Sequence, residues 1–165
     1  HADLCPAALT MGMWVCPGEN SSGYQLLAAK TDSSSWQNGY GFVGSSGNSG
    51  HLRFFVNGYS THMAAATVPV GEWTHLVGVF DGKSVRTYLN GKFMHVHKMT
   101  SMDPFGDSPF LSDSPLASIK HSNRSLCLGG ESSGYSWRGK IDEFVLYNRA
   151  LSDKEISWLY ASVEE

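Results

Sequence analysis

The sequence predicts an all-β domain that ends in one short helix. Three observations support this prediction. Short apolar segments alternate with turn residues along most of the chain. Two tight hairpin signals, Asp81-Gly82 and Asn90-Gly91, flank one of these segments. A helix-capping pattern occurs once, at Ser152 and Glu155 near the C-terminal end.

The strand candidates are rich in apolar and β-branched residues. They are, in order, ALTMGMWV, YQLLAAK, YGFV, HLRFFVN, WTHLVGVF, SVRTYLN, FMHVHKM, SLCLG and KIDEFVLY. The connections between them carry Gly, Asn, Asp and Ser, which tolerate a positive φ or hydrogen-bond to their own backbone. The segment VFDGKSVRTYLNGKFMHV is the clearest, because its two hairpin signals predict three antiparallel strands in a meander.

The C-terminal helix is predicted within LSDKEISWLYAS. Ser152 caps the first turn, and Glu155, three residues later, bonds back to the backbone of Ser152. Three residues then fall on one face and dock the helix onto the sheet: Ile156, Leu159 and Tyr160. Trp158 is assigned to the same docking contact.

The length and composition predict a single domain over residues 1–165. The charged residues, 12 Lys and Arg against 15 Asp and Glu, give a net charge of −3 without a basic run. This charge pattern argues against a nucleic-acid partner. No apolar stretch approaches the ~20 residues that a membrane span needs, so membrane insertion is not expected.

The cysteines fit no metal-binding spacing. There are three, Cys5, Cys16 and Cys127, and Asn-X-Ser sequons occur at Asn20 and Asn123. These features favour an extracellular or cell-surface setting with one disulfide and one remaining thiol. The alternative is three reduced, buried cysteines.

Several motifs resemble the LamG-like jellyroll domain of the concanavalin A-like lectin and glucanase superfamily. Trp73-Thr74-His75, Asn90-Gly91, Gly129-Gly130 and the run from Gly139 to Ser152 follow the family pattern in order, and Trp14 matches its opening strand. The resemblance covers about residues 9 to 162. It implies a two-sheet antiparallel jelly-roll sandwich, which together with the predicted helix is the expected fold.

The chain departs from the family pattern in two places. Longer members begin with a further pair of strands, one of which lies beside the final strand, whereas only HADLCPAA stands here. A sheet edge is therefore expected to be open, and a preceding chain segment or a second chain is expected to complete the sheet. The long segment 100–124 has no counterpart from which its role follows.

Two adjacent carboxylates, Asp142 and Glu143, raise the question of catalysis. Glucanases of this fold place paired acids at alternate positions of a strand, whereas the residues two before and two after Asp142 are Lys140 and Phe144. Alternation puts Glu143 on the opposite side of the sheet, as a partner for Arg149 or a loop amide. The sequence therefore predicts no enzyme activity, with a glycoside hydrolase as a remote alternative.

The resemblance also implies a metal. In related glucanases an Asp on the closing strand helps to hold a structural calcium, and Asp142 stands at the matching position. Calcium takes 6 to 8 oxygen ligands in loose geometry, which Gly-rich turns supply through backbone carbonyls. The alternative is that Asp142 only accepts backbone hydrogen bonds and orders a loop.

Sugar recognition uses flat aromatic rings with amide or carboxylate groups nearby. Trp14, Trp73 and Trp137 fall at apolar positions of the predicted strands, so they are assigned to packing. Trp36 lies instead among loop-forming residues. The predicted ligand-binding platform comprises Trp36, Asn38, Tyr40 and Tyr59. The alternative is that Trp36 only covers a sheet edge.

Together these features predict a non-catalytic binding module of an extracellular or cell-surface protein, with a glycan as the expected partner. The alternative is a domain for protein interaction or structural adhesion, because laminin-like relatives bind proteins as well as sugars.

Overall fold

The computed structural model describes residues 4, 6–19, 23–32, 36–44, 49–58, 63–98, 118–130 and 134–162. These residues form strands and one helix in the order β1 (Leu9–Pro17), β2 (Leu26–Lys30), β3 (Tyr40–Gly44), β4 (His51–Val56), β5 (Met63–Thr67), β6 (Thr74–Phe80), β7 (Ser84–Leu89), β8 (Lys92–Lys98), β9 (Cys127–Leu128), β10 (Gly139–Tyr147) and α1 (Asp153–Ala161).

The strands form two antiparallel five-stranded sheets. Sheet A has the order β10-β1-β6-β7-β8, and sheet B has the order β5-β4-β3-β2-β9. The two sheets pack face to face, since alternate residues of each strand turn inward. The prediction of an all-β, two-sheet jelly-roll sandwich with one C-terminal helix is confirmed.

The hydrophobic core fills the space between the sheets. On β1 the inward residues are Leu9, Met11, Met13 and Val15, which are fully buried. On sheet B the rings of Phe42 and Phe54 pack with their centroids 4.8 Å apart. A Cβ added at Gly78 of sheet A would lie 2.4 Å from the ring of Phe54, so glycine at this position allows the sheets to approach.

The predicted meander is present as β6, β7 and β8. Asp81 closes the first hairpin, where its Oδ1 accepts the backbone N–H groups of Lys83 (2.9 Å) and Ser84 (2.7 Å). In the second hairpin Asn90 and Gly91 have φ values of 49° and 72°. Two consecutive positive φ angles are those of the turn that Asn-Gly favours between antiparallel strands.

Helix α1 begins with the predicted capping box. The Ser152 hydroxyl accepts the Glu155 N–H, and the Glu155 carboxylate accepts the Ser152 N–H at 2.9 Å. Arg149 also pairs with Glu155 at 2.8 Å. Hydrogen bonding from Arg149 and from Ser152 lowers the pKa of Glu155 to about 2, so the cap remains ionised at physiological pH.

Helix α1 packs on the outer face of sheet A. Ile156 is fully buried there against Val77 and Tyr88, as the sequence predicts. The prediction for Trp158 is wrong, because its side chain is 60% exposed and lies beneath the ammonium group of Lys154. Trp158 falls on the solvent side of the helix, about 200° around from Ile156 at 100° per residue.

The segment 118–124 is fixed to sheet B by buried polar side chains. The Lys30 ammonium donates to the Ser122 carbonyl at 3.0 Å. The Asn57 amide donates to a backbone carbonyl of the same segment at 2.9 Å. The remainder of the long predicted loop, residues 100–117, lies outside the described residues.

The sandwich has two open sides, along which the edge strands of the two sheets lie. On one side Thr87 of β7 donates to the Ala65 carbonyl of β5 at 2.8 Å, which joins the sheets. On the other side β10 and β9 are the outermost strands. Within the described residues β10 pairs only with β1, so the backbone groups on its outer side are available to another strand.

Candidate functional site: the bulge of β10

Strand β10 carries a β-bulge at its centre. Trp14 pairs with Asp142, and Gly12 pairs with Val145. These two pairs lie two residues apart on β1 but three residues apart on β10. The extra residue is Glu143, whose φ is 52°. This left-handed conformation is one that glycine adopts readily and that costs other residues free energy.

The bulge places both carboxylates at one cavity. Ile141 and Phe144 both pack against the core. Consecutive inward positions therefore differ by three in residue number here, instead of by two. Asp142 and Glu143 stand between them and line the same cavity. The expectation that the two carboxylates face opposite sides of the sheet assumed unbroken alternation, which the bulge interrupts.

The cavity, which we call the Trp73 pocket, lies at the outer face of sheet A. Its volume is about 310 Å³, and it is lined by Trp14, Trp73, Asp142 and Glu143. Trp73 lies in the turn directly before β6 and is 45% exposed. The assignment of Trp73 to the core is wrong, because a residue before the strand does not follow the inward alternation of that strand.

The aromatic wall of the pocket continues into the helix contact. Trp14 packs against His75 (centroids 5.5 Å apart) and Tyr160 of α1 (5.8 Å), and these two rings also contact each other. Burial lowers the pKa of His75 to about 4, so the imidazole is neutral at physiological pH. Within the described part of the chain, the buried Trp14 Nε1 and His75 Nδ1 have no hydrogen-bond partner.

Among the described residues, no basic side chain pairs with the acidic wall of the pocket. One carboxylate oxygen of Asp142 accepts the backbone N–H of Glu143 at 2.8 Å. The expected Glu143–Arg149 pair does not form, because Arg149 pairs with Glu155 instead. Neither Asp142 nor Glu143 forms an ion pair in the described residues.

The described residues provide little of a calcium site at Asp142. No group of three or more His, Cys, Asp or Glu side chains that could hold a metal occurs among them. Asp142 and Glu143 would supply the carboxylates, and most of the 6 to 8 oxygen ligands would have to be carbonyls or water. Calcium at Asp142 stays a prediction.

A second depression runs along the same strand, between the sheet edges formed by β10 and β9. We call it the inter-sheet groove, and its volume is about 440 Å³. Its lining is mostly apolar, with the bulge carboxylates at one end: Leu128, Gly129, Trp137, Gly139, Ile141, Phe144, Asp142 and Glu143. Both depressions therefore meet at the bulge.

The side chain of Trp36 is buried against sheet B. The ring is 7% exposed and covers the outer face of sheet B, against Leu26 and Phe55. Tyr24 and Tyr135 pack against it with edge contacts at 6.0 and 5.1 Å. Trp36 is therefore largely covered within the described residues, but over the outer face of sheet B and not at the sheet edge that the sequence offered as the alternative. Its ligand-binding role stays a prediction.

The other residues of the predicted platform do not form an open surface with Trp36. Tyr40 is 1% exposed, and its hydroxyl donates to the Leu4 carbonyl at 3.0 Å. The Asn38 amide donates to Asp32 at 2.5 Å, and its oxygen accepts the Asp32 backbone N–H. Tyr59 lies outside the described residues, so its ligand-binding role stays a prediction.

Sequence reasoning missed the exposed position of Trp73 and the bulge at Glu143, although both left a signal. Trp73 follows the turn residues Gly71 and Glu72, which indicates a position before the strand rather than within it. In KIDEFVLY the inward apolar residues are separated by two consecutive acids. A spacing of three in place of two is the signature of a bulge.

The described cysteines do not form a disulfide with each other. Cys16 and Cys127 are both free thiols, and Cys5 lies outside the described residues. The disulfide predicted from composition is therefore not one between Cys16 and Cys127. Among the described residues, no helix has the length and apolarity needed to cross a membrane.

Solved structures with the same architecture include a pentraxin and a domain of an arabinanase. The heptameric SAP-like pentraxin of Limulus polyphemus shares 17% identity at a TM-score of 0.62, over 94% of this chain and 70% of that one. Domain 4 of AbnA, an extracellular GH43 arabinanase of Geobacillus stearothermophilus solved with arabinotriose, shares 22% identity at a TM-score of 0.59, over 94% and 67% of the two chains. At these identities the likeness shows the fold alone.

Sequence comparison identifies the family. Mouse Pappalysin-1 is 28% identical over 86 residues, which is 52% of this chain and 5% of that protein. The family profile of the concanavalin A-like lectin/glucanases superfamily, in its third laminin G group, matches residues 1–157. This match includes every strand of the sandwich and the first residues of α1, and it confirms the resemblance seen in the motifs. The chain belongs to the concanavalin A-like lectin/glucanases superfamily.

Proposed function

We propose that this domain is a non-catalytic glycan-binding module of an extracellular or cell-surface protein, and that the Trp73 pocket is its sugar site. One observation carries the proposal. An indole that is 45% exposed stands beside two carboxylates in an open cavity of about 310 Å³.

The chemistry of the lining suits a sugar. An exposed indole provides a flat apolar face for the C–H side of a pyranose or furanose ring. The carboxylates of Asp142 and Glu143 accept hydrogen bonds from hydroxyls, and charge-assisted bonds are stronger than neutral ones. A few convergent polar groups beside an aromatic surface are typical of small-ligand sites, and the volume lies at the small end of their range.

The same geometry argues against hydrolysis. A retaining glycosidase places its two carboxyls on either side of the scissile bond, about 5 to 5.5 Å apart. Asp142 and Glu143 are consecutive residues on one wall of the pocket, so both approach a bound sugar from the same side. One Asp142 oxygen is also occupied by the Glu143 N–H.

The comparisons support a sugar ligand by analogy. A domain of the arabinanase with the same fold was solved with a neutral trisaccharide, arabinotriose. The chain spans only 5% of the length of its curated relative, mouse Pappalysin-1.

A glycan array followed by calorimetric titration tests the proposal. Trp73→Ala should lower the affinity for an array-selected oligosaccharide about tenfold, because one stacked ring contributes ~1 to 1.5 kcal/mol. Trp158→Ala is the matched control, since Trp158 is the other strongly exposed indole of the described residues and lies on α1. We expect this control to bind like the native domain.

Two outcomes would contradict the proposal. If no glycan class binds, the domain is not a lectin under the tested conditions. If binding occurs but Trp73→Ala leaves the titration curve unchanged, the sugar site lies elsewhere.

A second candidate function, protein interaction, is favoured by the edge of β10. This strand has nine residues and no fully buried side chain, and the mostly apolar inter-sheet groove runs beside it. An added strand would gain main-chain hydrogen bonds from β10 and place alternate side chains in the groove.

A further inference from the structure

We propose that the Trp73 pocket selects its sugar by charge: it favours sugars that carry a protonated amine, accepts neutral sugars and rejects sulfated or carboxylated ones. The inference rests on the proposed function, because it names the class of ligand for the same site.

The first support is the net charge of the lining. Among the described residues that line the pocket, the charged ones are Asp142 and Glu143, and both are acidic. Lys140, two residues before Asp142 on the same strand, does not line the pocket and forms no ion pair with either carboxylate in the described residues. The described wall of the pocket therefore carries two acidic side chains and no basic one.

Two acids elsewhere in the described part of the chain have an arginine partner, which Asp142 and Glu143 lack. Asp81 pairs with Arg86 at 3.5 Å, and Glu155 pairs with Arg149 at 2.8 Å. At the pocket, Asp142 accepts a hydrogen bond from the backbone N–H of the next residue. A cationic group of a ligand would pair with the pocket carboxylates as arginine pairs with Asp81 and Glu155.

The aromatic wall adds to the same preference. The face of an indole carries partial negative charge and attracts a cation within about 6 Å of the ring. Because Trp14 and Trp73 line the cavity with the two acids, an ammonium group bound there would contact both kinds of surface. A sulfate or carboxylate in the same position would be repelled by both.

The bulge gives an independent reason to assign a ligand role to Glu143. Glycine suits a φ of 52° better than glutamate does, so the backbone conformation does not require this side chain. The Glu143 carboxylate forms no ion pair with the described residues, and its position on the pocket wall makes it available to a ligand.

The test uses matched oligosaccharides with neutral, amino and sulfated members of gluco, galacto and manno backbones. They are first screened on an array and then titrated at 150 mM salt without added calcium. We expect the amino form to bind about tenfold more tightly than the neutral form of the same backbone. The sulfated form should bind at least tenfold more weakly than the neutral one. Raising the salt to 500 mM should reduce both differences, because exposed charges are screened.

The double variant Asp142→Asn, Glu143→Gln removes the charges and keeps the amide groups. It should bind all three forms of one backbone within about threefold, while Trp73→Ala should weaken all three together. Glu19→Gln, an exposed acid outside the pocket, is the charge control and should retain the native order.

The outcomes separate this inference from the proposed function. Equal binding of the three forms, tightest binding of the sulfated form, or an unchanged order in the double variant would overturn the charge selection and leave sugar binding intact. Failure of every backbone in every form would overturn both.

Discussion

Trp14 of β1 lies opposite Asp142 of β10, one residue before the register between the two strands shifts. This pairing joins the aromatic wall of the Trp73 pocket to its acidic wall through backbone hydrogen bonds of sheet A. The position of Asp142 relative to the Trp14 indole is therefore set by the pairing of β1 with β10, and the bulge adds Glu143 beside it.

Replacing Glu143 should separate stability from binding. We expect Glu143→Gly to be about 1 kcal/mol more stable than Glu143→Ala, because only glycine adopts a φ of 52° without steric cost. Both variants lose the carboxylate, so both should bind an amine-bearing sugar several-fold more weakly than the native domain. Denaturant unfolding and calorimetry measure the two effects.

β-strands ordinarily disfavour glycine relative to alanine, so a more stable glycine variant would indicate the left-handed conformation at position 143. If the alanine variant is the more stable one, Glu143 does not occupy the left-handed conformation. If both variants bind amino sugars as the native domain does, Glu143 is not part of the site.

The pH dependence of stability should contain a contribution from His75. Its pKa is about 4 in the folded state and 6.5 ordinarily, so the unfolded chain binds more protons between these values. The stabilisation is complete above pH 6.5 and is lost progressively as the pH falls towards 4. The loss should reach about 2 to 3 kcal/mol.

Urea unfolding from pH 7 to pH 4 measures this contribution. His75→Phe keeps a ring between Trp14 and Tyr160 but cannot titrate, so its stability should fall less over this range. His121→Gln, which removes an exposed imidazole, should follow the native profile. Parallel profiles for native protein and His75→Phe would contradict the assignment.

Two tryptophan variants should have opposite effects. Trp36→Ala removes a ring that is 7% exposed and should destabilise the domain by about 3 kcal/mol. Trp73→Ala should change the free energy of unfolding by less than about 1 kcal/mol and should act on binding instead. If the Trp36→Ala domain is stable but no longer binds sugar, the ligand site is the platform predicted from the sequence.

Calcium at Asp142 can be tested by thermal melting. Metal that binds only the folded state stabilises it by ~2.7 kcal/mol at a hundredfold excess over Kd. Melting temperatures in EDTA and in millimolar calcium should then differ by several degrees for the native domain and coincide for Asp142→Asn. Superimposable melts of metal-free native protein in the two solutions would exclude the site.

The open edge of β10 should attract a further strand, from a preceding segment of the parent chain or from a second chain. Unpaired strand edges favour such pairing, although the bulge and the charges of Asp142 and Glu143 limit it to a partner that fits. Hydrogen exchange of the β10 amides, with sedimentation to give the oligomeric state, measures it. A stable monomer of these 165 residues with β10 already fully protected would contradict the expectation.

The hairpin turns and the helix start could be predicted from the sequence, because each depends on residues close together in the chain. Asn90-Gly91 specifies a hairpin because its two residues tolerate positive φ, and Ser152 with Glu155 specifies a helix start through bonds three residues apart. Family motifs spread over the chain then determined the sandwich, since they match a known order of strands.

The tertiary structure alone decided which side chains face solvent at the site. Trp36 is buried because Tyr24 and Tyr135, distant in sequence, cover it, whereas Trp73 precedes its strand and remains open. The side of the sheet that Glu143 faces depends on the register between β10 and β1. Register and covering contacts join residues far apart in the chain, so a local alternation rule cannot supply them.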